Sequence, residues 1–163
     1  MILVDADILL YQACSAAEEE TDWGDDVWSL TTDLKEAKAM FQDRLAAIEE
    51  RLNSHKVTLC ISDKVNFRKT VYPNYKSNRK KTRKPLGYPA MVEWARGRYD
   101  CITLPGLEAD DVLGIFATMP PNKAQAIMVS DDKDLKTIPG RLYRPMSDEL
   151  MTITEAEADY NFL

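Results

Sequence analysis

Acidic residues directly follow the predicted buried strands of this chain, and this arrangement constrains the fold more than any other feature. Residues 2–4 are apolar and lead into Asp5, and a later apolar stretch leads into Asp63. Two further apolar stretches, 101–104 and 126–129, each precede a cluster of carboxylates. Open α/β sheets place their ligands at the carboxyl ends of parallel strands. We therefore expect these acids to meet at one edge of a single sheet.

Segments with helical patterns alternate with these strands. The pattern predicts helices over residues 8–17, 33–53, 89–98, 108–118 and 154–163, and a short helix near 133–137. We expect residues 142–144 to form an edge strand and residues 18–29 to form a polar, acidic connection. Alternating strands and helices favour an α/β fold, with a mostly parallel central sheet flanked by helices.

Length and composition limit the class of protein. With 163 residues the chain is expected to form one domain with a proper core. Its longest apolar runs fall well short of the roughly 18 residues of a membrane span, so no membrane partner is expected. The N-terminus has no basic leader, and the odd number of cysteines without metal-type spacing predicts free thiols. These features favour a cytoplasmic location.

The acidic clusters at 108–111 and 132–134 predict a cation site. Crowded carboxylates repel one another unless cations share the space, and hard oxygen ligands favour Mg²⁺, with Mn²⁺ as a second candidate. One such cluster alone is more typical of a helix cap. Four acidic strand ends together favour the metal. Asp7 fits an N-cap of the first helix at least as well as a metal role, and Asp132 and Asp134 are favoured over Asp131.

The segment from residue 64 to residue 98 is strongly basic within an acidic chain. It holds eleven Lys or Arg and one acid, so its net charge is +10, whereas the whole chain carries −6. Phe67, Tyr72 and Tyr75 lie among these cations. Cations that bind phosphates and rings that stack on bases are typical of sites for single-stranded nucleic acid. A solvated charge run is the alternative interpretation.

Carboxylates that hold metal ions beside a cationic segment indicate phosphodiester hydrolysis. Two metals about 4 Å apart can activate a water and stabilise the leaving oxygen, so no protein general base is required. Lys76 or Arg79 could neutralise the charge that grows on the scissile phosphate in the transition state.

The motifs of this chain resemble those of the 5′-nuclease (flap endonuclease) superfamily, which includes the N-terminal nuclease domain of bacterial DNA polymerase I. The similarity is strongest to the 5′→3′ exonucleases of short-tailed coliphages. In order and spacing it covers nearly the whole chain, and the matching segments are residues 2–5, 62–69, 73–80, 84–88, 107–112 and 132–139.

The resemblance implies a PIN-like, resolvase-like catalytic domain over residues 1–163, with a helical arch or clamp at about 64–98. Lys76 and Arg79 would contact the reacting phosphate, and Tyr75 would stack near the 5′ end. The implied metal positions are Asp5, Asp63, Glu108, Asp110, Asp111, Asp132 and Asp134. The implied nucleic-acid contacts are Arg68, Lys69, Tyr75, Lys76, Arg79, Lys80, Lys81, Arg83 and Lys84.

The implied substrates are 5′ ends and flaps of DNA, and RNA in RNA–DNA hybrids. In the family, a Gly-Asp-x-x-Asp loop for the second metal and a helix–three-turn–helix for duplex DNA follow a stretch like residues 158–162, and this sequence stops at Leu163. The expectation is therefore a metal-dependent nuclease, or its catalytic part, in which the ligand set of the second metal is incomplete. The alternatives are a non-catalytic nucleic-acid-binding fragment, half of a split nuclease whose second metal site a C-terminal polypeptide completes, and, less favoured, a PIN-type ribonuclease.

Overall fold

The computed structural model describes residues 1–78 and 83–163, and β-strands form its centre. In chain order the strands are β1 (Ile2–Asp5), β2 (Glu18–Asp22), β3 (Trp28–Thr32), β4 (Val57–Cys60), β5 (Cys101–Ile102), β6 (Ile127–Val129), β7 (Gly140–Arg144) and β8 (Glu149–Ile153). One sheet has the strand order β5-β4-β1-β6-β7-β8, and only the β7–β8 pair in it is antiparallel. The expected mostly parallel sheet is confirmed.

Helices cover both faces of this sheet. They are α1 (Ala6–Ala16), α2 (Leu34–Leu52), α3 (Phe67–Val71), α4 (Tyr88–Arg98), α5 (Ala109–Thr118), a 3₁₀ helix (Lys133–Thr137) and α6 (Glu155–Phe162). Parallel strands covered on both faces become apolar along their whole length, and every residue of β1 is buried. In the described ranges no helix is long and apolar enough to cross a membrane.

Two apolar clusters hold the layers together. On one face, α1, α2 and α4 pack on the sheet around Phe41, whose ring contacts Trp94 and Tyr99 with centroid distances of 5.7 Å. On the other face, Val112 and Leu113 of α5 pack against the sheet. Because β1 lies between β4 and β6, the carboxyl ends of these three strands are side by side. The fold therefore brings Asp5 to the middle of the acidic edge.

Two sequence predictions about strands are wrong. Residues 142–144 belong to β7, which lies between β6 and β8, so β8 is the edge strand. Residues 18–29 are not a simple connection, because β2 and β3 pair as an antiparallel hairpin. Its turn contains Gly24, Asp25 and Asp26, all with positive φ. No residue of this two-stranded ribbon is buried, so its sequence lacks the strong apolar periodicity of a strand with one buried face.

The predicted start of α2 is confirmed, and the backbone conformation at its end leads to a prediction about stability. The side chain of Asp33 accepts a hydrogen bond from the Glu36 amide at 3.0 Å, and the helix ends at Asn53 with φ of 49°. In this left-handed conformation a Cβ-bearing residue other than Asn or Asp costs about 1 kcal/mol. We expect Asn53→Ala to lower the free energy of unfolding by about that amount and Asn53→Gly to change it by less. Urea unfolding of the three proteins measures both, and equal stability of Asn53→Ala and the parent would contradict this.

Candidate metal and nucleic-acid site

Asp5 is a buried carboxylate at the centre of the acidic edge. It is the last residue of β1, is 7% exposed, and accepts a hydrogen bond from the Ser130 hydroxyl at 3.0 Å. Burial, together with the negative charges of Asp7, Asp110 and Asp132, raises its pKa to about 7. These carboxylates, which come from three segments of the chain, therefore act on one another through the same space.

Three further carboxylates cluster at the N-terminus of α5. Glu108, Asp110 and Asp111 can each direct an oxygen to within 4.8 Å of the others, a spacing that suits a cation, and among the described residues this is the group with that property. Glu108 is the N-cap, and its amide donates to the Asp111 carboxylate at 3.1 Å in a capping box. Burial and the charge of Asp111 raise the pKa of Asp110. The cluster therefore carries negative charge that is only partly compensated.

The basic segment folds onto this cluster. The Arg68 guanidinium binds Asp111 through two hydrogen bonds of 2.6 Å. The Lys76 ammonium donates to Glu108 Oε1 at 2.7 Å, and the Tyr75 hydroxyl donates to Glu108 Oε2 at 2.9 Å. The hydrogen bonds from Arg68 lower the pKa of Asp111; burial raises the pKa of Glu108, but the bonds from Lys76 and Tyr75 outweigh it. Cations predicted to bind phosphate are thus paired with predicted metal ligands.

The other predicted nucleic-acid contacts lie farther along the segment. Arg83 forms an ion pair with Glu18 of β2, whose carboxylate also accepts the Leu86 amide at 2.8 Å. Lys84 lies 5.1 Å from the centroid of the Tyr88 ring, and Lys69 is exposed. The predictions for Arg79, Lys80 and Lys81 fall outside the described residues.

Two further predicted metal ligands, Asp63 and Asp132, accept hydrogen bonds from backbone amides. Asp63 accepts hydrogen bonds from the Gly106 and Lys64 amides, both at 2.8 Å, and the Gly106 bond is the main reason for its lowered pKa. Asp132 caps the 3₁₀ helix by accepting the Asp134 amide at 2.9 Å. Asp63, Asp132 and Asp134 lie outside the three-carboxylate cluster, and their metal roles stay predictions.

Part of the basic segment, α5 and the region of the 3₁₀ helix border a groove. Its volume is about 730 Å³. Phe67, Arg68 and Tyr75 line one part of it, and Asp110, Asp111 and Asp134 are among the residues that line the rest. One cation, aromatic rings and three carboxylates thus border a common space, and most of the other residues that line it are apolar.

Several residues that support the site were not identified from the sequence. The Ser62 hydroxyl accepts the Ala109 amide at 2.8 Å and joins the end of β4 to the start of α5. Asp7 is not an N-cap, since its carboxylate accepts the Ser62 amide at 3.2 Å and Asp5 holds the cap position. A serine directly before an acid at the end of a strand, as in Ser62 and Ser130, is the signal that could have identified both.

These features define an α/β domain that gathers carboxylates at the carboxyl edge of a parallel sheet and folds a basic segment onto them. The sequence model of the family described as 5′-3′ exonuclease, N-terminal resolvase-like domain, matches residues 1–161. The chain belongs to this family, and the resemblance expected from its motifs is confirmed.

Two curated phage proteins are similar to this chain over most of its length. The exodeoxyribonuclease of Enterobacteria phage T3 is 39% identical over 147 residues, which cover 85% of this chain and 49% of that protein. The exonuclease of Escherichia phage T7 is 36% identical over 169 residues, which cover 98% of this chain and 56% of that protein. The chain therefore spans about half the length of these relatives.

Solved structures of a phage T5 nuclease share the fold. A T5 protein co-crystallised with metal ions has a TM-score of 0.65 at 14% identity, and the match covers 93% of this chain and 56% of that one. A T5 flap endonuclease in complex with DNA and metal ions has a TM-score of 0.62 at 11% identity and covers 93% and 57%. At these identities the match supports the fold and assigns no residue roles.

Proposed function

We propose that this domain is the catalytic part of a divalent-metal-dependent 5′→3′ exonuclease or flap endonuclease that hydrolyses phosphodiester bonds at the 5′ ends of DNA. One observation carries the proposal: carboxylates from β1 and from the segments after β5 and β6 meet at one edge, and the basic segment contacts the same cluster. Membership of the exonuclease family supports it. The names of the T3 and T7 relatives point to the same class of reaction.

The donor set fits a hard divalent cation. Burial, together with the negative charge around them, raises the pKa values of Asp5 and Asp110, and every candidate ligand is a carboxylate. Oxygen-only donor sets favour Mg²⁺, with Mn²⁺ as an alternative, and two ions when the second site is complete. We assign the metal to Asp5, Asp110 and Asp132, with Glu108 and Asp111 as further candidate ligands that the basic segment engages, and keep Asp63 and Asp134 as outer positions. When bound, such ions activate a water and stabilise the leaving oxygen.

The residues of the chain itself would bind and orient the substrate. The Ser130 hydroxyl holds the Asp5 carboxylate in place. Lys76, with Arg79, would neutralise charge on the reacting phosphate, and the Tyr75 ring would stack on a base near the 5′ end. The other cations of the segment, Arg68, Lys69, Lys80, Lys81, Arg83 and Lys84, would bind the flanking phosphates.

The proposed substrates are DNA with 5′ ends or flaps, and RNA in RNA–DNA hybrids as a further candidate. We also propose that a C-terminal polypeptide completes the second metal site and that the reaction takes place in the cytoplasm of a host cell. The chain spans about half the length of its curated relatives. A second candidate function therefore remains, namely nucleic-acid binding without cleavage by this domain alone.

The direct test is cleavage of a flap duplex whose 5′ strand is labelled. We expect the labelled strand to be cut in Mg²⁺ and to stay intact in excess EDTA. Binding without cleavage in either buffer would support the second candidate. A higher rate on single-stranded RNA than on the flap duplex would instead favour a PIN-type ribonuclease.

A further inference from the structure

The basic segment engages all four carboxylate oxygens of two predicted metal ligands. Glu108 Oε1 accepts from Lys76 at 2.7 Å, and Glu108 Oε2 accepts from Tyr75 at 2.9 Å and from Arg68 at 3.3 Å. Asp111 accepts from Arg68 on both of its oxygens at 2.6 Å. A cation that approaches either carboxylate therefore meets an oxygen that already has a donor.

Asp110 differs from its two neighbours. Among the contacts of the described residues, its carboxylate accepts one hydrogen bond, from the Asp111 amide to Oδ1 at 2.9 Å. Its Oδ2 can take a cation without displacing a side chain of the basic segment. The cluster thus contains one carboxylate that is open to a metal and two that the basic segment holds.

We propose that a divalent cation and the Lys76 ammonium compete for Glu108, so that metal loading releases the basic segment and frees Lys76 to bind a phosphate. This inference rests on the proposed metal site and adds a coupling between that site and the segment that would contact the substrate. Lys76 would then be paired with a carboxylate in the metal-free protein and with the substrate in the loaded one.

Electrostatics and backbone conformation both favour this exchange. A divalent ion and an ammonium on the same carboxylate repel each other, and this repulsion is strong at a partly buried site. The backbone of Lys76 has φ of 51°, a conformation that is unfavourable for lysine. We expect release of the segment to relieve this backbone strain as well as the repulsion between the two cations. Because coupling between two sites is reciprocal, a metal that loosens the segment must bind more tightly when the segment is already loose.

The test measures Mn²⁺ affinity by isothermal titration calorimetry in the full chain and in two variants. Lys76→Met removes the competing ammonium, and Lys69→Met removes the same charge from an exposed residue of the same segment. We expect Lys76→Met to bind Mn²⁺ roughly fivefold more tightly than the parent, as for the loss of one partly exposed ion pair. The Mn²⁺ affinity of Lys69→Met should stay within about twofold of that of the parent, which is the effect expected from the loss of one exposed positive charge that does not contact the cluster.

Hydrogen exchange followed by mass spectrometry gives the second readout. We expect Mn²⁺ to speed exchange in residues 68–78 of the parent and to have little effect on that segment in Lys76→Met. Equal or weaker Mn²⁺ binding by Lys76→Met, with exchange in the parent unchanged by Mn²⁺, would overturn the competition while leaving the metal site intact. No Mn²⁺ binding by any of the three proteins at millimolar concentration would overturn the metal site itself and this inference with it.

Discussion

Replacing Asp110 with asparagine is expected to reduce cleavage of a 5′-flap DNA by at least roughly 100-fold at saturating Mg²⁺. The substitution keeps the shape of the side chain and removes the negative charge of the carboxylate that the basic segment leaves open. A neutral amide is a much poorer ligand for a hard cation than a carboxylate. We therefore expect the affinity for Mn²⁺ to fall together with the rate.

The matched control is Asp43→Asn, which makes the same chemical change at an exposed position of α2. Cleavage rates and Mn²⁺ titrations of both variants are compared with those of the parent. The control should retain the parent rate. Unchanged cleavage by Asp110→Asn would show that Asp110 is not a metal ligand. Loss of cleavage with parent-like Mn²⁺ affinity would assign Asp110 a role other than metal binding.

Asp5→Asn is expected to stabilise the metal-free protein at pH 8 by about 2–4 kcal/mol. The pKa of Asp5 is raised from 3.8 to about 7 in the folded protein, because the carboxylate is buried and faces other acids. Below the unfolded value both states hold the proton, and the effect vanishes. Between the two values the unfolded chain releases its proton first, so the stability of the parent falls as pH rises, and above about 7 the full penalty is present.

Urea unfolding in EDTA at pH 4, 6 and 8 measures this pH dependence. The gain from Asp5→Asn should be near zero at pH 4 and largest at pH 8, while Asp43→Asn should show no such trend. Mg²⁺ should stabilise the parent more than Asp5→Asn, because a ligand that binds only the folded state adds to its stability. If the expected trend is observed, the parent carries at Asp5 a cost in stability that only the loaded site offsets. A gain that does not change with pH would contradict the raised pKa.

The sequence correctly predicted those helices whose structure depends on residues within or directly beside the helix. The start of α2 at Asp33 and the short helix at 133–137 follow from capping side chains that lie within a few residues of the backbone they bind. The hairpin of β2 and β3 and the strand β8 were missed. Their stability comes from pairing with another strand, and this is not visible in the pattern of a single segment.

The acidic edge was likewise predictable from the sequence in one respect and not in another. Its position followed from one rule, that parallel strands end on the same side, and it needed no knowledge of the strand order. The role of each individual carboxylate could not be predicted from this rule, because it depends on the contacts that the carboxylate makes in the folded protein. Asp63 binds nearby amides, and its neighbours in sequence give no indication of the contact with Gly106.

By itself the sequence determined which segments form strands that end in acids, the charge of the segment that follows β4, and the family to which the chain belongs. Only the tertiary structure decided which carboxylates are engaged by that segment and which are open. Arg68 and Asp111 are 43 residues apart, and the two hydrogen bonds between them depend on how α3 and α5 are held at the end of the sheet. Such contacts follow from the three-dimensional arrangement of distant segments, whereas capping and strand patterns are set by neighbouring residues.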